Sequence, residues 1–361
     1  MSDDQDQLLD GITALVPPLL TAIEMLQQAG RHFHPPHLPE LASQLEAYYQ
    51  PLQDGWAVFQ AVEWPDNLKG MAQGTEKSAS LAVRSLQEFL SAQNQSNPTM
   101  AAYRALGYAT KATEALYPLA QIFPPVSRFF LDPPYRNDEA LIQKVLHADA
   151  SRPDVGVMHA DNASDQRGGF SMYVPEYYAG EKVPLILALH GGSGHGRSFL
   201  WSWLRTARSR NAIVISPTSK DGTWSLMGPD VDSANLDAMV AYAAEHWNVD
   251  DQRILLTGMS DGGTFSYVSG LRAEVPYTHL APCSASFHPM LVQAVDPARL
   301  RHLPIYLIHG ALDWMFPVDV ARDARTALTE AGAMVTYREI EDLSHTYPQD
   351  ENDRIIDWLL A

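Results

Sequence analysis

The chain has little with which to crosslink itself, bind nucleic acid or cross a membrane. Its 361 residues include one cysteine, Cys283, which excludes an intramolecular disulfide and any cysteine-rich metal site. Basic residues are scarce: 25 Lys and Arg stand against 43 Asp and Glu, for a formal net charge of -18. That excess repels phosphate backbones, so nucleic acid is not an expected partner. No uninterrupted run approaches the roughly 18 apolar residues of a spanning helix, so no transmembrane segment is expected. The stretch Met1–Asp6 is acidic where a secretory leader would be basic. A cytoplasmic location is the expectation.

What is present divides into two halves near residue 150. In the first, apolar residues recur at helical spacing. Leu8, Leu9, Ile12, Leu15, Val16, Leu19, Leu20 and Ile23 mark a first helix, which Pro17-Pro18 should kink or split. Further helical stretches run over 38–62 and 75–92, and a fourth starts at Pro98, a residue suited to a first helical turn. Residues 1–150 read as an all-α N-terminal domain or extension. Residues 151–361 alternate short apolar runs with helical segments. Strands are expected over 170–174, 183–189, 212–216, 253–257, 280–283, 305–308 and 335–340. Strands apolar on both faces and separated by helices indicate an α/β fold, its mostly parallel sheet covered by helices on both faces.

Gly258-Met259-Ser260-Asp261-Gly262 follows one of those strands and precedes a helix. G-x-S-x-G in that setting is a nucleophile elbow. A serine on so sharp a turn leaves no room for side chains two residues away on either side, which glycines at 258 and 262 relieve. A serine hydroxyl is a poor nucleophile at neutral pH and needs a base within hydrogen-bond reach. Behind elbow serines the acid and then the base follow in the chain. Asp313 lies just past the strand at 305–308, and His345 in the loop before the last helix. Competitors fit less well. His309 precedes Asp313 and reads as strand-end packing. Asp319 reads as an acid in the first turn of a helix, and Asp342 is too near His345 to come from a separate strand end.

The strand at 183–189 runs into His190-Gly191-Gly192-Ser193-Gly194. A glycine-rich loop lets backbone N–H groups approach a developing oxyanion. One donor is expected from Asp261 and one from Gly192 or Ser193. No phosphate-binding fingerprint fits this loop. Trp224 and Trp314, in loops near the serine, are the expected substrate-binding residues. His32, His34 and His37 cluster without a carboxylate or cysteine at zinc spacing, so no metal is expected.

Together, LHGGSG at Leu189–Gly194, GMSDGG at Gly258–Gly263, HGALDWMFPV at His309–Val318 and SHTYP at Ser344–Pro348 resemble the α/β-hydrolase superfamily. Within it, the chain resembles the phospholipase/carboxylesterase group and the polyhydroxybutyrate-depolymerase or feruloyl-esterase-like group. The resemblance implies a cofactor-free serine esterase acting on small-molecule esters, with Ser260 as nucleophile, Asp313 as acid and His345 as base. A thioesterase, peptidase or acyltransferase would use the same triad, and an inactive hydrolase shell would keep the fold as a binding protein. The secreted depolymerase-like proteins carry a leader and disulfides, neither of which is read here. The resemblance covers 165–361. The N-terminal helices are left to cap the active site, bind another protein or mediate homo-oligomerisation.

Overall fold

The computed structural model describes residues 3–361. The chain forms two compact units, Met1–Phe130 and Leu131–Ala361. The first contains α1 (Asp3–Arg31), α2 (Leu38–Glu46), α3 (Tyr49–Gln60), α4 (Lys69–Leu90), α5 (Pro98–Leu116) and α6 (Pro124–Phe129). Pro17-Pro18 does not split α1, contrary to expectation. Pro18 lacks the N–H that would bond Ala14, and Gly55 of α3 approaches that carbonyl so closely that a Cβ there would stand 2.2 Å from it. Within α1, Asp6–Arg31 is long and apolar enough to cross a membrane by length and composition. Polar residues such as Thr13, Thr21 and Glu24 interrupt that stretch, so the absence of an uninterrupted apolar run stands. In the structure Leu15, Leu19, Ala22, Ile23 and Leu26 of this helix are wholly buried. Helices α4 and α5 meet through small residues, among them Ala79, Ala82, Ala105 and Ala112. The buried Ser78 and Ser85 hydroxyls donate to the Ala112 and Ala105 carbonyls.

The division falls at residue 130 rather than near 150. Helix α7 (Glu139–Leu146) carries Leu141, Ile142 and Val145 into a small apolar cluster with Leu131, Tyr135 and Tyr177 of the second unit. Eight strands follow: β1 (Gly156–Ala160), β2 (Phe170–Val174), β3 (Val183–Leu189), β4 (Ile213–Pro217), β5 (Val249–Met259), β6 (His279–Cys283), β7 (Pro304–Gly310) and β8 (Met334–Ile340). Interleaved are α8 (Gly196–Phe199), α9 (Leu204–Arg210), α10 (Ser233–His246), α11 (Asp261–Gly270), α12 (Met290–Gln293), α13 (Pro297–Leu300), α14 (Asp319–Glu330) and α15 (Asn352–Leu360).

The sheet order is β1-β2-β4-β3-β5-β6-β7-β8. β2 runs antiparallel to both its neighbours, β1 and β4, and every pairing from β4 to β8 is parallel. One face packs Leu185, Leu187, Ile213, Ile215, Leu256 and Ile305 into a single core with residues of α10, α11 and α14. The alternating Ile186, Val214, Leu255 and Ile308 are equally buried. Trp358 of α15 lies against Tyr306 on that second face. Side chains alternate across a strand, so burial on both sides requires helices on both sides. With β3 through β8 parallel, the loops after β3, β4, β5, β7 and β8 all emerge at one edge, where open α/β sheets place their chemistry.

Candidate active site

Ser260 directly follows β5 with φ +56° and ψ −116°, a left-handed backbone that few non-glycine residues adopt. Its neighbours permit the turn. A Cβ on Gly258 would stand 2.5 Å from the Gly262 carbonyl carbon, and one on Gly262 would stand 2.4 Å from the Leu189 carbonyl oxygen. The Ser260 N–H donates to the Cys283 carbonyl at 2.9 Å, and the Ser260 carbonyl accepts from the Thr264 N–H at 2.8 Å. Backbone bonds on both sides therefore hold the strained residue.

The three residues singled out in the sequence meet here. His345 Nε2 lies 3.0 Å from Ser260 Oγ, and its Nδ1 lies 2.8 Å and 3.0 Å from the two carboxyl oxygens of Asp313. Asp313 Oδ1 also accepts the Met315 and Phe316 N–H groups, each at 2.9 Å. Burial pushes the Asp313 carboxyl up, but the His345 bond and the Phe316 amide outweigh it and hold the group below its ordinary value. An ionised Asp313 fixes the His345 proton on Nδ1 and leaves Nε2 free to accept from the serine. His309, read as strand-end packing, is wholly buried and bonds the Phe316 carbonyl through Nε2 at 2.8 Å. The same nitrogen stands 3.5 Å from Asp313 Oδ2, a contact the sequence did not reveal.

Beside the serine lies the loop 190–194. The Ser193 N–H, expected as the alternative to Gly192 for the second oxyanion donor, is taken by the Gly222 carbonyl at 3.0 Å. Among the described residues, neither the Gly192 nor the Asp261 N–H has a protein acceptor. Asp261 Oδ2 stands 2.7 Å from where a Cβ on Gly192 would be, so that position needs glycine for the approach.

Trp224 does not line a pocket as expected. It is 3% exposed, stacks on Phe265 at 5.4 Å and donates from Nε1 to the His190 carbonyl at 2.7 Å. Its loop position near the serine signalled substrate contact, but the indole packs inward beneath the glycine-rich turn. Trp314 is 47% exposed and sits edge-on to the His345 ring at 6.4 Å. That leaves its indole open at the mouth of the site.

His190 braces the loop. Its Nδ1–H donates to the Gly191 carbonyl at 2.7 Å, and its Nε2 accepts the Ser219 N–H at 3.1 Å. Those partners require the neutral ring. Burial, with Arg167 and His195 adding to it, pushes the imidazole from 6.5 to about 4 against the Gly191 bond. An unfolded chain takes up this proton near 6.5, so between about pH 6.5 and 4 the unfolded state holds more protons and stability falls as pH falls. The expected loss is about 3 kcal/mol. His279, also pushed to about 4 chiefly by burial, adds to the same slope. Urea unfolding of His190→Gln at pH 7 and pH 4.5 should show a shallower loss than the parent protein. An equal loss in both would place the slope elsewhere.

The phospholipase/carboxylesterase family matches residues 231–360. A bifunctional acetylxylan esterase/xylanase of Neocallimastix patriciarum is 28% identical over 146 residues, 39% of this chain and 21% of that protein. The chain thus spans about a fifth of that relative. Similar solved structures include a thermostable esterase, 21% identical over 57% of this chain and 62% of its own, with a TM-score of 0.46. Another is a truncated carbohydrate esterase from gut microbiota, 14% identical over 58% of this chain and 99% of its own, TM-score 0.47. The stretch that matches the phospholipase/carboxylesterase family holds Ser260, Asp313 and His345.

Proposed function

We propose that this protein is a serine esterase with Ser260 as nucleophile, His345 as general base and Asp313 as its orienting acid. The observation that carries the reading is the unbroken chain of contacts Ser260 Oγ, His345 Nε2, His345 Nδ1, Asp313, at 3.0 Å and 2.8 Å. Ser260 Oγ attacks the ester carbonyl carbon while His345 Nε2 takes its proton. The carbonyl π pair moves onto oxygen, and the N–H groups of Asp261 and Gly192 receive that charge. As the intermediate collapses, the C–O bond to the alcohol breaks and the imidazolium returns its proton to the leaving oxygen. Water, deprotonated by the same histidine, then attacks the acyl-serine; the bond from the acyl carbon to Ser260 Oγ breaks, the imidazolium returns its proton to Oγ, and the acid leaves.

Asp313 stabilises the imidazolium without itself taking a proton. Its depressed pKa supports that role. Trp314, at the mouth of the site beside His345, is the residue proposed to meet the substrate. The acetyl ester named for the Neocallimastix patriciarum relative supports starting with short acyl groups.

The test is a series of p-nitrophenyl esters from acetate to octanoate, run beside labelling with a fluorophosphonate. Turnover with stoichiometric labelling at Ser260 is expected. An intact fold without either would leave a hydrolase shell that binds and does not cut. Faster turnover of thioesters or peptides than of every ester would move the assignment to a thioesterase or peptidase.

A further inference from the structure

Three consecutive residues in the loop after β4 each hold a different part of the region around Gly192 and Asp261. The Gly222 carbonyl accepts the Ser193 N–H at 3.0 Å. Thr223 Oγ1 donates to Asp261 Oδ2 at 2.5 Å. Trp224 Nε1 donates to the His190 carbonyl at 2.7 Å. Residues 190 and 193 flank Gly192, so the loop grips the β3 side of the pair from both ends, and Thr223 grips the α11 side.

The gripping loop is itself anchored. Asp232, 1% exposed and next to the first residue of α10, accepts the Lys220 N–H at 2.9 Å through one carboxyl oxygen. Its other oxygen accepts the Ser225 N–H at 2.9 Å and hydroxyl at 2.7 Å. Residues 220–225 are therefore a strap closed on a buried carboxyl group, with Thr223 at its middle.

Resting on the esterase reading above, we infer that Thr223 is a positioning residue: its hydroxyl sets the spacing between the Asp261 and Gly192 N–H groups. Those donors belong to separate elements, the start of α11 and the loop after β3, and no covalent geometry fixes the distance between them. A planar ester carbonyl tolerates a loose pair of donors. The tetrahedral oxyanion, with its larger charge, does not. Losing the Thr223 bond should therefore appear in kcat and leave KM almost unchanged.

The experiment compares Thr223→Val, which keeps the shape and removes the donor, with Thr223→Ser, which restores it, on p-nitrophenyl acetate. The valine variant is expected to lose about tenfold or more in kcat with KM within about twofold, since displaced donors cost rate rather than substrate affinity. Inhibition by a trifluoromethyl ketone, which forms a tetrahedral oxyanion on Ser260, should weaken by the same factor. The serine variant should recover most of the rate. Asp261→Ala should cost as much as Thr223→Val, and the double variant no more than either.

Unchanged kcat in the valine variant, equal impairment of valine and serine, a loss confined to KM, or additive losses in the double variant would each overturn the inference. Parent protein without ester turnover would remove the esterase reading and the inference together. Failure of the Thr223 inference alone would appear only among the variants.

Discussion

Ser260→Ala should remove ester turnover, by on the order of 10⁴- to 10⁶-fold in kcat, and leave the protein folded. The loss follows from chemistry, since the Ser260 hydroxyl is the group placed 3.0 Å from His345 Nε2 to give up its proton. What remains are the backbone donors and the binding surface, which alone sustain only slow hydrolysis by water. Retained folding follows from what the serine contributes to the turn. Its N–H bonds Cys283 and its carbonyl bonds Thr264, both backbone interactions that alanine keeps. The left-handed φ of +56° is as awkward for alanine as for serine, so the strain does not change with the substitution. Thermal unfolding of the variant should therefore match the parent within a few degrees. Fluorophosphonate labelling should vanish with the activity. A folded variant that keeps the parent rate would show that the nucleophile lies elsewhere.

Much of the second unit was legible because its elements obey local rules. Strands β2 and β3 fall on the residues expected, since each is a short apolar run bounded by turn signals. Edge strand β1 went unread because Gly156–Ala160 is mostly half-exposed and carries His159, leaving no continuous apolar signal. β5 begins earlier than expected because Asp250-Asp251-Gln252, near its start, are polar, although the backbone is already extended. Pairing with neighbouring strands overrode composition there. Pro17-Pro18 signalled a break that packing against Gly55 makes unnecessary.

The site divides in the same way. Ser260 and its glycines announce themselves because the elbow's sterics demand those residues at fixed spacing. Asp313 and His345 needed the strand pattern as well, since only topology brings them to the same edge. Thr223 and Gly222 left no trace. Their partners lie 38 and 29 positions away in the chain, and a hydrogen bond between loops imposes no local pattern on either. Trp224 shows the converse: a loop position near the serine predicted substrate contact, whereas a nearby aromatic and the His190 carbonyl drew the indole inward.

Asp313→Asn should cost about 10⁴-fold in kcat while preserving the fold. The reason is a conflict among the acid's partners. Asp313 accepts from three donors: the Met315 and Phe316 N–H groups on Oδ1, and His345 Nδ1–H. Asparagine offers one oxygen and one NH₂ group. Turning the NH₂ toward Met315 and Phe316 would set donor against donor within a buried loop, so the oxygen should stay with the backbone and the NH₂ should face His345. The imidazole then has to accept at Nδ1, and its proton moves to Nε2. That nitrogen now donates to Ser260 Oγ at 3.0 Å instead of receiving its proton, although no atom has shifted far. His309 does not rescue the arrangement, because its Nε2 is committed to the Phe316 carbonyl. The expected signature is a normal unfolding midpoint, a near-normal KM, and kcat and fluorophosphonate labelling that fall together. Activity within tenfold of the parent would mean that the acid neither sets the tautomer nor stabilises the imidazolium. The proton path through His345 would then have to be drawn again.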